Sequence, residues 1–281
     1  MSKQKVIGLI SDTHMPDRWK TLPERVFELF ADVDLIIHAG DVGELWVLDH
    51  LGEIAPIVAV HGNDEPIHTQ SAVPFLQTLS ILGHRMVISH AHYPNRAEEM
   101  ASRTNDWESK FERRATFASS LGASICIFGH THIPMLLTYN NILLVNPGAI
   151  ASGNPWTRQK VQTVAKMTLA SETPLEIDFY DLATGDLHTP HYNSTGFVET
   201  GEVYYEVIFE EHFMPHREWI WHHLRPLDMR VHEVLLTICH EVWADERDMV
   251  TTQALMERFK TIDTLSVQEA LEDHPYFSQY L

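Results

Sequence analysis

The sequence predicts an α/β domain followed by a helical extension, on two observations about its apolar residues. Short apolar runs rich in β-branched residues recur along the first half of the chain, and such runs favour strands buried on both faces. Amphipathic stretches separate them, and alternation of strands with helices is typical of an α/β domain. The predicted strands are Val6–Ile10, Leu35–Ile37, Ile57–Val60, Met86–Ile88, Ile125–Phe128 and Ile142–Val145.

Three helical regions are predicted between those strands. The first has Pro23 near its start, where the missing N–H of proline leaves no helical hydrogen bond unmade. The last mixes charged residues with spaced apolar ones, so we expect one or two helices that face solvent. The three regions are Leu22–Phe30, Leu45–Leu51 and Arg96–Leu121.

A second group of strands follows Asn146 and is expected to complete the first domain at residue 192. The turn residues of Ala183–Asp186 separate the last two of these strands. The strands are Gln162–Leu169, Leu175–Asp181 and Leu187–Tyr192.

Residues 193–281 have the pattern of a helical extension. They contain 6 basic and 17 acidic residues, which is −11 of the net charge of −19. We expect this extension to pack on domain 1–192 or to form a homo-oligomer through its apolar helix faces. One apolar stripe and two further helices are expected at Val231, Val234, Leu235, Ile238 and Val242, at Thr251–Lys260 and at Ser266–Glu272.

Composition limits the classes of function. With 281 residues, of which 44% are hydrophobic, the chain can form a full-sized core. Its net charge of −19 repels polyanions, so neither an extended nucleic acid nor an anionic membrane is an expected partner. Cys126 and Cys239 cannot make a disulfide framework, and neither a secretory signal nor a membrane-spanning run is apparent. We therefore expect a cytoplasmic protein.

Polar side chains follow the predicted strands at the points where the strands end. Open α/β sheets bind ligands at this edge. If the backbone stays extended, Asp12 and His14 face the same side and can hold one ion, and His130 and His132 repeat that spacing. The stretches are Asp12-Thr13-His14, Gly40-Asp41, Gly62-Asn63-Asp64, His90-Ala91-His92 and Gly129-His130-Thr131-His132.

These side chains are the ligand types for a pair of divalent metal ions. Asp41 can bridge two cations with its two oxygens, and Asn63 offers a neutral amide oxygen. Mixed imidazole and oxygen ligands suit Mn, Ni, Fe, Zn or Co better than Ca or Mg. A metal pair can make water nucleophilic and hold a phosphate ester beside it.

The set Asp-x-His, Gly-Asp, Gly-Asn, His and Gly-His-Thr-His, closed by Asn146-Pro147-Gly148, resembles the calcineurin-like metallophosphoesterase superfamily. Ser11–His14 with Pro16, followed by Leu22-Pro23, resembles its small prokaryotic phosphodiesterase branch. The resemblance covers about residues 5 to 190. It implies a β-sandwich flanked by helices, with two divalent transition-metal ions at one edge, Mn first among the candidates.

The resemblance also implies which residues hold the ions. Asp12, His14 and His132 match the ligands of the first ion. Asn63, His90 and His130 match those of the second, and Asp41 matches the bridging residue. Asn146 to Gly148 match the loop that closes the site.

One position departs from the pattern of many members. Asp64 stands where they have a histidine that contacts the phosphate, although the small phosphodiesterase branch commonly lacks it. A carboxylate there repels a phosphomonoester dianion more than a diester monoanion. His92 is the alternative general acid, or else a histidine at the rim without a catalytic role. Asp64 and His92 are thus the candidate catalytic side chains.

Two functions of different classes follow. The first is a dinuclear-metal-dependent phosphodiesterase that hydrolyses a small phosphodiester with a hydroxide held between the ions. The second is a non-catalytic scaffold or binding protein that retains the fold. Because none of the expected ligands is missing, the sequence favours the enzyme. No P-loop, nucleophile elbow or dinucleotide fingerprint is present to suggest another chemistry.

Overall fold

The computed structural model describes residues 4–102, 106–171 and 174–281. The chain forms two compact units, one of residues 1–153 with 159–205 and the other of residues 154–158 with 206–281. The strands are β1 Gln4–Ile10, β2 Leu35–His38, β3 Ile57–Ala59, β4 Leu76–Ile81, β5 His84–Ser89, β6 Ile125–Ile127, β7 Met135–Tyr139, β8 Ile142–Asn146, β9 Thr157–Gln159, β10 Thr163–Ala170, β11 Glu176–Asp181, β12 Leu187–His188 and β13 Tyr205–Val207. The helices are α1 Glu24–Phe30, α2 Trp46–Gly52, α3 Ile67–Ala72, α4 Arg96–Ala101, α5 Glu108–Ser120, α6 Phe197–Tyr204, α7 Arg217–Trp219, α8 Arg230–Trp243, α9 Thr252–Phe259 and α10 Leu265–Asp273.

Two mixed sheets carry the first unit. One has the strand order β12-β11-β10-β1-β2-β3 and the other β4-β5-β6-β8-β7, while β9 and β13 form a two-stranded pair. Strands β1, β2 and β3 run parallel in the first sheet, as do β5, β6 and β8 in the second. Each sheet therefore brings the carboxyl ends of three neighbouring strands to one edge.

The two sheets share one apolar core, and helices cover their outer faces. Met86 and Ile88 of β5 lie in the core that also holds Ile7 and Leu9 of β1, while Val87 faces outward. The outer side of the first sheet packs on α1 and α2, and that of the second packs on α5. This alternation explains why the strands read as continuous apolar runs. The expected β-sandwich flanked by helices is confirmed.

The sequence did not predict strands β4 and β7. Each forms a hairpin with the strand that follows it. Their turns place Leu82 and Gly83, and Asn140 and Asn141, at positive φ. Such turns connect antiparallel strands tightly, and Asn tolerates this conformation better than most residues. The region Arg96–Leu121 forms the two helices α4 and α5, and its residues 103–105 lie outside the described residues.

The second unit is helical, as expected for the C-terminal extension. Helix α8 buries Val231, Leu235, Ile238 and Val242, while Val234 is half-buried. Helices α9 and α10 cover nearly the same residues as the two helices expected after α8. Among the described residues, no helix combines the length and the apolar character that crossing a membrane would require.

Residues 193–205 belong to the first structural unit, which therefore ends later than residue 192. Tyr204 of α6 is completely buried in the core beside α5, and its hydroxyl accepts a hydrogen bond from the His191 N–H at 2.8 Å. Thr200 Oγ1 accepts from the indole N–H of Trp107 at 3.3 Å. These contacts explain why α6 joins the sandwich. The prediction that residues 1–192 form a domain by themselves stays untested.

Replacing Tyr204 by Ala should lower the free energy of unfolding by about 3–5 kcal/mol, because it empties a fully buried aromatic site. Val203, its neighbour in α6, is half exposed, so Val203→Ala should change stability by less than about 1 kcal/mol. Urea unfolding of both variants measures the difference. Equal stabilities would show that α6 contributes nothing to the core of the first unit.

Candidate metal centre

The side chains expected as metal ligands lie just past the ends of five strands, β1, β2, β3, β5 and β6. Five of these residues adopt positive φ, so the backbone is not extended there, and the expectation that Asp12 and His14 share a side through an extended strand end is wrong. The chain instead turns sharply at each residue, a conformation that costs energy and is held by its surroundings. The φ values are 53° at Asp12, 45° at His14, 52° at Asp41, 71° at His130 and 58° at His132.

The turns bring six side chains into two groups. Asp12, His14 and His132 form the first, and Asp41, His90 and His130 form the second. Within each group, the candidate ligand atoms lie within 4.8 Å of one another. Carboxylate oxygens with imidazole nitrogens at this spacing fit one divalent transition-metal ion in each group.

Hydrogen bonds orient the imidazoles of the first group. His132 Nδ1 lies 2.8 Å from the carbonyl oxygen of Ala151, to which only a protonated Nδ1 can donate. Its Nε2 then presents a lone pair, 3.1 Å from Asp12 Oδ1 and 3.3 Å from His14 Nε2. Two nitrogen atoms facing each other this closely are suited to share a cation.

The second group has the same arrangement. His90 Nδ1 lies 2.9 Å from the carbonyl oxygen of Ala39, so its Nε2 is left as the ligand atom. That Nε2 is buried and makes no hydrogen bond within the described chain, although Asp41 Oδ2 lies 3.1 Å away. The same Oδ2 lies 3.5 Å from His14 Nε2 of the first group. Asp41 therefore stands between the two groups, where a bridging ligand must be.

Electrostatic compensation is strong in this buried cluster. Burial alone would raise the pKa of Asp12, but His132 and His90 outweigh it and lower that pKa to about 2. Burial alone would lower the pKa of His90, but Asp41 and Asp12 raise it to about 10. The carboxylates thus attract positive charge, which protons provide in the metal-free chain and cations can provide instead.

Asn63 and Asp64 lie in the loop after β3, and both are exposed. The Asp64 N–H donates to Asp41 Oδ1 at 3.0 Å, so the loop backbone reaches the site. The side chain of Asp64 pairs with Arg18 and lies 3.7 Å from His14 Nδ1. Ligation by the Asn63 amide stays a prediction.

His92 lies next to the second group, as the sequence suggested. Its ring centroid is 5.5 Å from that of His90 and 6.3 Å from that of His130. Burial, together with these two imidazoles, lowers the pKa of His92 to about 4. Its Nδ1 is buried and makes no hydrogen bond within the described chain.

Sequence reasoning missed two buried carboxylates that support the ligands. Glu65 accepts hydrogen bonds from the N–H groups of Val42 and Gly62, at 3.0 and 2.8 Å, and so ties the Asp41 loop to the Asn63 loop. Glu99 Oε1 lies 2.8 Å from His130 Nε2, which leaves Nδ1 of that ring for a metal. The sequence signal for Glu65 was its position beside Asn63-Asp64, whereas Glu99 lies on α4, 31 residues before the histidine that it contacts.

The Asn146-Pro147-Gly148 segment holds the last ligand loop. The Asn146 amide donates to the carbonyl oxygen of Gly129 and to Thr131 Oγ1, both at 2.9 Å. The Gly148 carbonyl accepts from Ser11 Oγ at 2.7 Å, which ties the same segment to the Asp12 loop. The segment therefore supports the site without offering a ligand.

Gly62 should tolerate no side chain, because a Cβ atom there would lie 2.1 Å from Asp41 Oδ1. Gly62→Ala should displace Asp41 and lower the number of metal ions bound per chain. Gly52→Ala is the matched control, since a Cβ atom at Gly52 meets nothing within 4 Å. Elemental analysis after reconstitution measures both variants, and full metal content in Gly62→Ala would contradict the central position assigned to Asp41.

Known proteins resemble this chain in sequence and in fold. Residues 6–172 match the family model of the calcineurin-like phosphoesterase superfamily domain. A probable metallophosphoesterase of Methanothermobacter thermautotrophicus is 34% identical over 173 residues, which are 62% of this chain and 86% of the relative. A phosphodiesterase of Methanocaldococcus jannaschii is 25% identical over 158 residues, 50% of this chain and 82% of that protein.

Among solved structures, a single mutant of Vps29 from Entamoeba histolytica superposes with a TM-score of 0.53 at 19% identity. The superposition covers 65% of this chain and 96% of Vps29, and at that identity it demonstrates a shared fold only. The family match spans more than half of the chain and contains the strand-end residues described above. The chain belongs to the calcineurin-like phosphoesterase superfamily.

Proposed function

We propose that this protein is a metal-dependent phosphodiesterase that hydrolyses a small phosphodiester. The observation that carries the proposal is the pair of buried ligand groups with Asp41 between them. Each group brings three ligand side chains within reach of one ion, so two separate groups support two ions.

The residues that would hold the ions are those of the two groups. Asp12, His14 and His132 would hold the first, while Asn63, His90 and His130 would hold the second, with Asp41 shared. Two bound ions would supply a nucleophile from water at neutral pH and would neutralise the phosphoryl oxygens. Mn is our first candidate, with Ni, Fe, Zn and Co as alternatives, because imidazole and carboxylate ligands suit these metals.

The protein contributes orientation. The carbonyl oxygens of Ala39 and Ala151 fix His90 and His132 in the tautomer that presents Nε2, and Glu99 holds His130 by its Nε2. Such contacts keep ligands in place without reorganisation during reaction. Asp12 and His90 are fully buried, so water does not reach these two side chains.

Asp64 supports a preference for diesters. Its carboxylate lies 3.7 Å from His14 Nδ1 and is 42% exposed, so it faces the space beside the first ligand group. A diester carries one negative charge and a monoester up to two, so the carboxylate repels the monoester more, and the Arg18 guanidinium paired with it offsets only part of that repulsion. The net charge of −19 supports a small substrate over a nucleic acid, and the two buried free thiols are consistent with a reducing cytoplasm.

Reconstituted protein should hydrolyse bis-p-nitrophenyl phosphate faster than p-nitrophenyl phosphate, and chelation should abolish both activities. Elemental analysis should find two ions per chain. Asp41→Ala should lose most of the metal and the activity together, because Asp41 belongs to both ion sites. A monoester rate tenfold above the diester rate would overturn the preference. Metal-loaded protein without hydrolysis of any ester would favour the scaffold alternative.

His92 is the group that we propose to contact the leaving oxygen. Because its pKa of about 4 leaves the ring neutral at pH 7, it would act through an N–H hydrogen bond that strengthens as charge builds on that oxygen. His92→Ala should slow diesters with poor leaving groups by at least about tenfold, which corresponds to the loss of one such bond. Diesters with good leaving groups should be affected far less, and equal losses for both classes would assign His92 a structural role.

A further inference from the structure

A guanidinium group lies directly beside the first ligand group. Arg18 follows His14 by one turn, and its N–H donates to the His14 carbonyl oxygen at 2.9 Å. The side chain folds back and is only 13% exposed. Its Nη1 donates to the carbonyl oxygen of Ser152 at 3.0 Å and lies 3.3 Å from His14 Nδ1. A cation is therefore held against His14, within hydrogen-bond distance of the first ligand group.

The second amino group of Arg18 is held by an exchangeable partner. Nη2 forms an ion pair with Asp64, whose side chain is 42% exposed. Arg18 is largely buried, but solvent reaches the Asp64 carboxylate, so an incoming anion can compete with that carboxylate for Nη2. A phosphoryl group can accept two parallel N–H bonds from a guanidinium and binds it more strongly. Asp64 thus occupies a position that a phosphoryl oxygen can take over.

Metal loading would weaken the present contacts of Arg18. An imidazole that holds a cation on Nε2 carries its proton on Nδ1, so His14 Nδ1 could no longer accept from Arg18. The new N–H would face Asp64 Oδ2, which lies 3.7 Å away. The carboxylate would then have a second donor in competition with Arg18, and Nη2 would be easier to free.

We propose that Arg18 binds the phosphoryl group of the substrate and that Asp64 is the partner this group displaces. The inference rests on the proposed function for its ligand, a phosphoester. It assigns a specificity role to a residue that the sequence did not single out, and it gives Asp64 the role of a competitor for Arg18.

Inorganic phosphate is the probe, titrated into the metal-loaded full-length chain by calorimetry, with metal content measured on the same samples. Arg18→Ala should weaken phosphate binding at least tenfold without loss of metal. Arg18→Lys should fall between Arg18→Ala and the wild type, because lysine keeps the charge but loses the paired donors. Asp64→Asn should tighten binding at least threefold, because the competing charge is removed.

Arg25→Ala is the control for loss of a positive charge, since Arg25 pairs with Glu28 on the surface. It should bind phosphate as the wild type does. Arg18→Ala with full metal and wild-type phosphate affinity would overturn the inference. If Arg18→Ala fails to load metal, the phosphate affinity of Asp64→Asn tests the inference instead. Phosphate binding in Asp64→Asn that is no tighter than in the wild type would overturn it, because Asp64 would then not compete with phosphate for Arg18.

The two proposals can fail separately. Metal-loaded wild type that binds phosphate through Arg18 but hydrolyses no diester would end the proposed function and leave this inference standing. If the wild type hydrolyses diesters but the Arg18→Ala variant binds phosphate normally, the proposed function stands and this inference is overturned. Absence of phosphate binding by the metal-loaded wild type would overturn the inference whatever the hydrolysis assays show.

Discussion

Two buried carboxylates, Asp12 and Asp41, impose the constraint on which the rest of the first unit depends. Both are almost completely buried, and an uncompensated charge in a protein interior is costly. Backbone N–H groups of His130 and Asp64 donate to them, and imidazoles surround them. In the metal-free chain, these carboxylates raise the pKa of His90 to about 10, so a protonated imidazole offsets part of their charge. Cations would meet the same requirement with stronger attraction, so the cluster is electrostatically prepared for metal.

The fold meets this constraint through the edge where six parallel strands end. The loops there are bonded to one another, because the Asp12 N–H donates to the Gly40 carbonyl oxygen and the His14 N–H to that of Asp41, both at 3.0 Å. These bonds hold the residues at positive φ, which would be unfavourable in an isolated chain. Glu65 joins a third loop to the same network. The loops that carry the ligands are therefore held in these conformations by hydrogen bonds to one another.

Two polar side chains outside the ligand set, Arg18 and His92, lie beside different ligand groups. Arg18 contacts His14 of the first group, and the ring of His92 lies beside His90 and His130 of the second. Their charges differ as well, since Arg18 is a permanent cation and His92 is a neutral ring at pH 7. The two roles that we propose, binding of a phosphoryl group and contact with a leaving oxygen, therefore fall to side chains of different chemistry.

The sequence by itself determined most of the buried strands, the sandwich class through its family resemblance, and the candidate ligands that the two groups bring together. These features could be predicted because apolar runs buried on both faces are local sequence signals. The polar side chains at the site follow the strands that position them within a few residues. It did not determine the hairpin strands β4 and β7, whose exposed faces interrupt the apolar pattern. Only the tertiary structure decided the left-handed turns at the ligands, the burial of Tyr204, and the contacts of Glu99 and Arg18. Each of these depends on which loops meet in space, and residues 31 positions apart, such as Glu99 and His130, carry no sequence signal of their contact.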